Sequence, residues 1–106
     1  MFARAKKLCE YAFVVTKKAP KEFRWNIIDK ILNGILELLQ VLYIAYGESG
    51  VARVANQRAA DAKLKVIGYL GILAKDVGAF TNKNLEAYAV HVFETRQSLW
   101  RWIKSK

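Results

Sequence analysis

RWNIIDKILNGILELLQVLYIAYGESG, residues 24–50, decides the fold. At 100° per residue it carries one apolar stripe of Ile27, Ile31, Ile35, Leu38, Leu42 and Ala45. Beside it runs a second, of Trp25, Ile28, Leu32, Leu36, Leu39, Tyr43 and Tyr46. Asn26, Lys30, Asn33, Glu37 and Gln40 keep to one narrow polar strip. Such spacing is helical, and the apolar arc is wider than the ~100° that one bundle contact needs. A second burial partner, another subunit, is therefore expected on the outer stripe, at Trp25, Leu36, Leu39, Tyr43 and Tyr46. Gly34 inside the helix costs about 1 kcal/mol against alanine, which close packing would explain.

Working outward, Pro20 lacks an amide proton and forces Ala19 out of the α region. A first helix from about Ala3 should end near Lys18, with Lys17 and Lys18 at the negative end of its dipole, and the second should run from about Glu22 to Tyr46. The turn residues GESG (47–50) lead to a third helix, Val51 to Val77, closed by Gly78. Thr81 is the expected N-cap of a fourth, reaching about Lys104, with Glu86 in its early turns. No stretch alternates with period 2 between hairpin turns, so no sheet is expected. The reading is an all-α protein, an antiparallel up-down four-helix bundle forming one domain over residues 1–106.

On the third helix the expected core seam is Val51, Ala52, Ala55, Ala59, Ala62, Val66, Tyr69, Leu70, Leu73 and Val77. That leaves Arg53, Arg58, Lys63 and Lys65 outside, with Arg58 and Lys65 on one edge and Asp61 within reach of both at i,i−3 and i,i+4. The fourth helix shows a stripe of Leu85, Ala89, Val92, Leu99 and Ile103. Arg96 falls in the middle of it and must snorkel or find a structural ion pair. Trp100 and Trp102, about 200° apart, cannot both enter one core. One of them must meet another subunit, the bundle's flank or a stacked base.

The chain has 18 Lys and Arg against 9 Asp and Glu, a formal charge of +9. This slightly exceeds the magnitude of about 2–8 that suits a small soluble domain and points to a polyanion, either nucleic acid or an anionic membrane surface. Candidate phosphate contacts are Arg53, Arg58, Lys63 and Lys65 on the third helix, and Lys17, Lys18, Lys21 and Arg24 around the first turn. The lone Cys9 and lone His91 cannot form an intrachain disulfide or a four-ligand zinc site; no metal or cofactor is expected, and a reducing cytoplasm fits. His91 shares a polar strip with Glu94 and Arg101, where solvation is its expected state. No phosphate loop, nucleophile elbow or ligand cluster appears, and Gly68 and Gly71 are internal to a helix, so an enzyme is not expected. The longest charge-free stretches, LLQVLYIAYG (38–47) and VIGYLGILA (66–74), fall short of the roughly 18 apolar residues of a spanning helix. A soluble chain without a membrane span is expected, with MFARAKKLCEYAFVV read as mature helix because Glu10 interrupts its apolar run.

Taken in order, KAPKEF (18–23), NGILELL (33–39), RAADAKL (58–64) and LEAYAVHVFETRQSLWRWI (85–103) resemble the accessory variability determinant (Avd) proteins of diversity-generating retroelements. The similarity spans about residues 8–104 and is strongest at Ala59 to Ala62, Leu64, Glu86, Glu94, Leu99, Trp102 and Ile103. The resemblance implies a basic four-helix bundle assembled as a barrel-shaped homopentamer. It would bind RNA, DNA and a reverse transcriptase, and support mutagenic cDNA synthesis without catalysis of its own. Related four-helix proteins are encoded in intervening sequences of ribosomal RNA genes. Their Asn-Ile-Ala-Glu-Gly-like stretch is replaced here by GESGVARVANQ (47–57). A structural interaction protein of that type, or a binder of anionic membrane surfaces, is the alternative.

Overall fold

The structure, a computed structural model, describes residues 1–105. Four α-helices, α1 (Phe2–Lys17), α2 (Asp29–Tyr46), α3 (Gly50–Asp76) and α4 (Asn82–Lys104), form an all-helical body, with no strand among the described residues. The body is elongated, 44 × 22 × 19 Å. The packing is most extensive between α2 and α3, then between α3 and α4 and between α1 and α4, with a smaller seam between α1 and α2.

The punctuation follows the chemistry of the chain. The end of α1 tightens as Lys18 and Ala19 donate to Val15 and Thr16, three residues back, before Pro20 breaks away with ψ of 144°. The helical path then resumes as a 3-10 turn, Lys21–Phe23, and a π-helical turn, Arg24–Ile28, before α2 proper begins at Asp29. The expectation of a uniform α-helix from Glu22 is corrected here: the path is helical, but its first eight residues are not α. Gly50 (φ 61°) and Gly78 (φ 91°) take the left-handed conformation that side chains avoid, at the start of α3 and just past its end. Thr81 caps α4 as expected. Its hydroxyl accepts from the Asn84 N–H at 3.0 Å, while Asn84 Oδ1 accepts from the Thr81 N–H at 3.1 Å.

On α2 the inner stripe is buried from Ile31 through Ile35, Leu38 and Leu42 to Ala45, but at its start Ile27 is half-buried and Ile28 of the outer stripe enters the core instead, where the turn is π rather than α. Ile31, Ile35, Leu38 and Leu42 form one core with Leu8, Ala12 and Val15 of α1, Leu64 and Ile67 of α3, and Tyr88, Val92 and Leu99 of α4. The expected α3 seam is overturned. Val51, Ala52, Ala55, Ala59, Ala62, Val66, Tyr69 and Val77 are exposed, Leu70 and Leu73 are half-buried, and the buried face is Gln57, Ala60, Asp61, Leu64, Ile67, Gly71 and Ala74. On α4, Val92 and Leu99 are buried as expected, but Ala89 is exposed, and Tyr88 and Thr95 complete the inner face.

One close approach explains much of this setting. The Tyr88 ring lies over Gly71, where a Cβ would stand 2.6 Å from Cδ2 and Cε2, and the Tyr88 hydroxyl donates to the Ile67 carbonyl at 2.8 Å. A turn away, a Cβ on Gly68 would meet Val92 at an ordinary 3.5 Å. The two glycines should therefore respond oppositely. Gly68→Ala is expected to gain about 0.5–1 kcal/mol from helix propensity. Gly71→Ala, where overpacking exceeds that gain, should lose about 1–2 kcal/mol net. Urea denaturation followed by circular dichroism tests the contrast, and equal shifts of the same sign would refute the packing of Tyr88 onto Gly71.

Candidate nucleic-acid interface

The cations separate into engaged and unengaged groups. Arg53 folds back over the end of α2: its Nε donates to the Ala45 carbonyl and a terminal nitrogen to the Tyr46 carbonyl, both at 3.2 Å. Its guanidinium also lies 5.7 Å from the Trp102 ring centre. It therefore adds a charged donor to the carbonyls at the end of α2 and stacks on an aromatic face. Lys63 lies 3.4 Å from Glu37 of α2. Lys65 lies 3.6 Å from Asp61. Arg58 does not reach Asp61, and stays exposed without a carboxylate partner among the described residues.

Asp61 is the best-connected polar group in the fold. Only 6% exposed, it accepts from Arg96 Nε at 2.9 Å and from the Trp100 indole N–H at 3.1 Å, with Lys65 as a third neighbour. Arg96 therefore has the structural ion pair that its position in the α4 stripe demands. Trp100 turns toward the same carboxylate. Trp102, on the other side of α4, packs near Phe2, with ring centres 6.4 Å apart, so the flank of the bundle takes one tryptophan and the buried acid the other. His91 is half-buried against the Tyr11 ring at 5.0 Å, a correction to the expected solvated position. Burial raises the Cys9 thiol above its usual range, helped by Glu10, which disfavours the thiolate. Among the described residues no three His, Cys, Asp or Glu side chains gather closely enough to hold a metal ion.

The remaining candidates, Lys17, Lys18, Lys21 and Arg24, are exposed and make no ion pair among the described residues. Three of them, Lys17, Lys21 and Arg24, line one open cleft of about 710 Å³ at the junction of α1 with the 3-10 and π turns. No acidic residue lines it. Sequence reading collected these cations near one turn but missed Phe13, which lines the same cleft four residues before Lys17. That i,i+4 spacing was the available signal.

The residues expected at a subunit contact are mostly outward. Trp25, Leu36, Tyr43 and Tyr46 are exposed, Leu39 is half-buried, and Tyr43 and Tyr46 pack partly against Phe2 at ring distances of 4.7 and 5.7 Å. The overturned α3 seam exposes a further apolar strip: Ala62 and Val66 border Gly34 and Glu37 of α2 along a shallow groove. No family model matches the chain, and no curated protein matches it at significant similarity.

Burial opposes the charge on Asp61, but the hydrogen bond and charge of Arg96, the Trp100 N–H and Lys65 outweigh it, and the carboxyl is held below its ordinary range. With the folded value depressed, its stabilisation is complete above the unfolded pKa of about 3.9 and is lost as pH falls through the folded value. Asp61→Asn should cost about 2–3 kcal/mol at pH 7, since it strands a partly buried Arg96. The gap between parent and variant should stay constant from pH 7 to 5 and shrink below about pH 4. Chemical denaturation across that range measures it; a gap that did not narrow in acid would show the charge to be unimportant.

Proposed function

We propose that this protein is a non-catalytic, basic helical adaptor that self-associates and binds RNA or DNA. By its resemblance to the Avd proteins, it would serve as the accessory factor of a diversity-generating retroelement, holding the reverse transcriptase and supporting mutagenic cDNA synthesis. The observation that carries the proposal is the coexistence of two unlike surfaces on one small chain. One is exposed apolar surface, on the outer stripe of α2 and on the alanine–valine–tyrosine side of α3. The other is the acid-free cluster of Lys17, Lys21 and Arg24. The first suits a second copy of the chain, because Val66, Tyr69, Leu36 and Tyr43 are each half or more exposed. The second suits phosphates, because unpaired cations on preformed helical turns lose little conformational freedom on binding.

The bundle itself is read as antiparallel and up-down. Contacts that run in opposite order along neighbouring helices support this: Arg4 with Glu94 and Tyr11 with Asn84, Glu37 with Lys63 and Ala45 with Arg53, Asp61 with Arg96 and Gly71 with Tyr88. No helix among the described residues is long and apolar enough to cross a membrane.

Sedimentation equilibrium tests the assembly. A species of about five times 12.1 kDa is expected from the resemblance, and Val66→Glu with Leu36→Glu should dissociate it while leaving the helical signal. A monodisperse 12.1 kDa species at micromolar concentration would refute self-association. Binding to nucleic acid should be largely indifferent to sequence and steep in salt. About six phosphate contacts lose roughly a thousandfold in affinity between 50 and 200 mM. A flat salt response in fluorescence anisotropy, or strong discrimination between scrambled duplexes, would overturn the mechanism.

A further inference from the structure

We propose that the cleft between the end of α1 and the turns leading into α2 holds an unpaired nucleotide of a single-stranded nucleic acid, its base against Phe13 and its phosphates on Lys17, Lys21 and Arg24. This rests on the nucleic-acid reading above and narrows it to a site and a strand state.

The local backbone builds the arrangement. Phe13 and Lys17 are one turn apart on α1, so an aromatic face and a cation stand side by side. Across the break at Pro20 the chain enters a 3-10 turn, in which side chains three apart eclipse. The Arg24 N–H bonds to the Lys21 carbonyl, which stacks those two cations on one edge. The wider π turn then runs from Arg24 to Ile28, and Arg24, Ile28 and Leu32 share the cleft-facing side, with the two apolar residues completing its wall. The result is a concavity with an apolar interior and three cations at its edges. Its volume, about 710 Å³, lies within the roughly 300–1,000 Å³ of small-ligand pockets.

Phe13 is 49% exposed although it lines a concavity, so it offers an open ring face where a planar group can enter. Base-on-aromatic stacking tolerates any base, since every base has a π face, and it requires a base that is not already stacked in a helix. A duplex offers only phosphates to this cleft. A bilayer is flat and engages side chains that protrude, whereas these apolar groups line a recess.

The test is fluorescence anisotropy with a labelled oligouridylate of roughly twelve nucleotides, matching the usual reach of single-strand sites, against an RNA duplex of equal length. Phe13→Leu should weaken single-strand binding at least about fivefold while leaving duplex affinity, helical signal and oligomeric state unchanged, and Phe13→Tyr should bind like the parent. Replacing Lys17, Lys21 and Arg24 by Gln together should lower affinity for both forms. It should also reduce the single-strand salt slope by about two, near 0.7 per lost phosphate contact. If Phe13→Leu binds like the parent, or weakens single strand and duplex equally, the stacking site is overturned while nucleic-acid binding stands. If the parent binds neither form at low salt, the functional reading falls with it. Preferential binding to phosphatidylglycerol vesicles, lost in Phe13→Leu, would assign the cleft to a lipid surface instead.

Discussion

The rotational setting of α3 and α4 depends on one buried carboxylate. Asp61 lies in the middle of α3 and is held by Arg96 and Trp100 of α4, on successive turns of that helix. An isolated carboxylate would not be buried, because losing its hydration costs far more than a few apolar contacts return. With a guanidinium, an indole N–H and a nearby ammonium arranged around it, the group is satisfied, and the helix that carries it must turn this face inward. Leu64, Ile67, Gly71 and Ala74 follow on the same side and enter the core. Gly71 then leaves room for the Tyr88 ring, whose hydroxyl closes onto the Ile67 carbonyl, so a polar tie and a steric fit select the same register.

The consequence appears on the outside of the molecule. Once the Asp61 face points in, Val51, Ala55, Ala62, Val66 and Tyr69 point out, with Ala62 and Val66 beside Gly34 and Glu37 of α2. This protein therefore presents more apolar surface than a four-helix body needs for its own core. The same turn of α3 redistributes the charges. Lys63 and Lys65 find acids within one chain and Arg53 closes the end of α2, while at the junction after α1 three cations without a carboxylate partner among the described residues line one cleft.

That junction is also where the backbone departs from α geometry. Pro20 ends α1 outright, and the chain re-enters a helix through a tight turn and then a wide one. Such departures re-aim side chains relative to an ideal helix, and wide turns of this kind recur at functional positions. Here they set Arg24 and Lys21 opposite Lys17 around a common recess.

The sequence by itself determined the number of helices, most of their ends and the inner face of α2 from Ile31 to Ala45. Those features rest on local chemistry: Pro20 without its amide proton, glycines at positive φ, the Thr81 cap, and a stripe made of aliphatic residues alone, beside an outer stripe that mixes in Trp25, Tyr43 and Tyr46. It also showed that Arg96 had either to snorkel or to find an ion pair, because a cation sat in an otherwise apolar stripe. The tertiary structure alone decided which face of α3 is core. That helix is apolar on two sides, one lined by alanine and valine and the other carrying Leu64 and Ile67 beside an acid, and local pattern counts the acid against burial. The partners that make its burial favourable lie 35 and 39 residues away on α4. The cleft around Phe13 was hidden for the same reason, since it depends on how the chain turns in space after Pro20, whereas periodicity describes only one straight helix at a time.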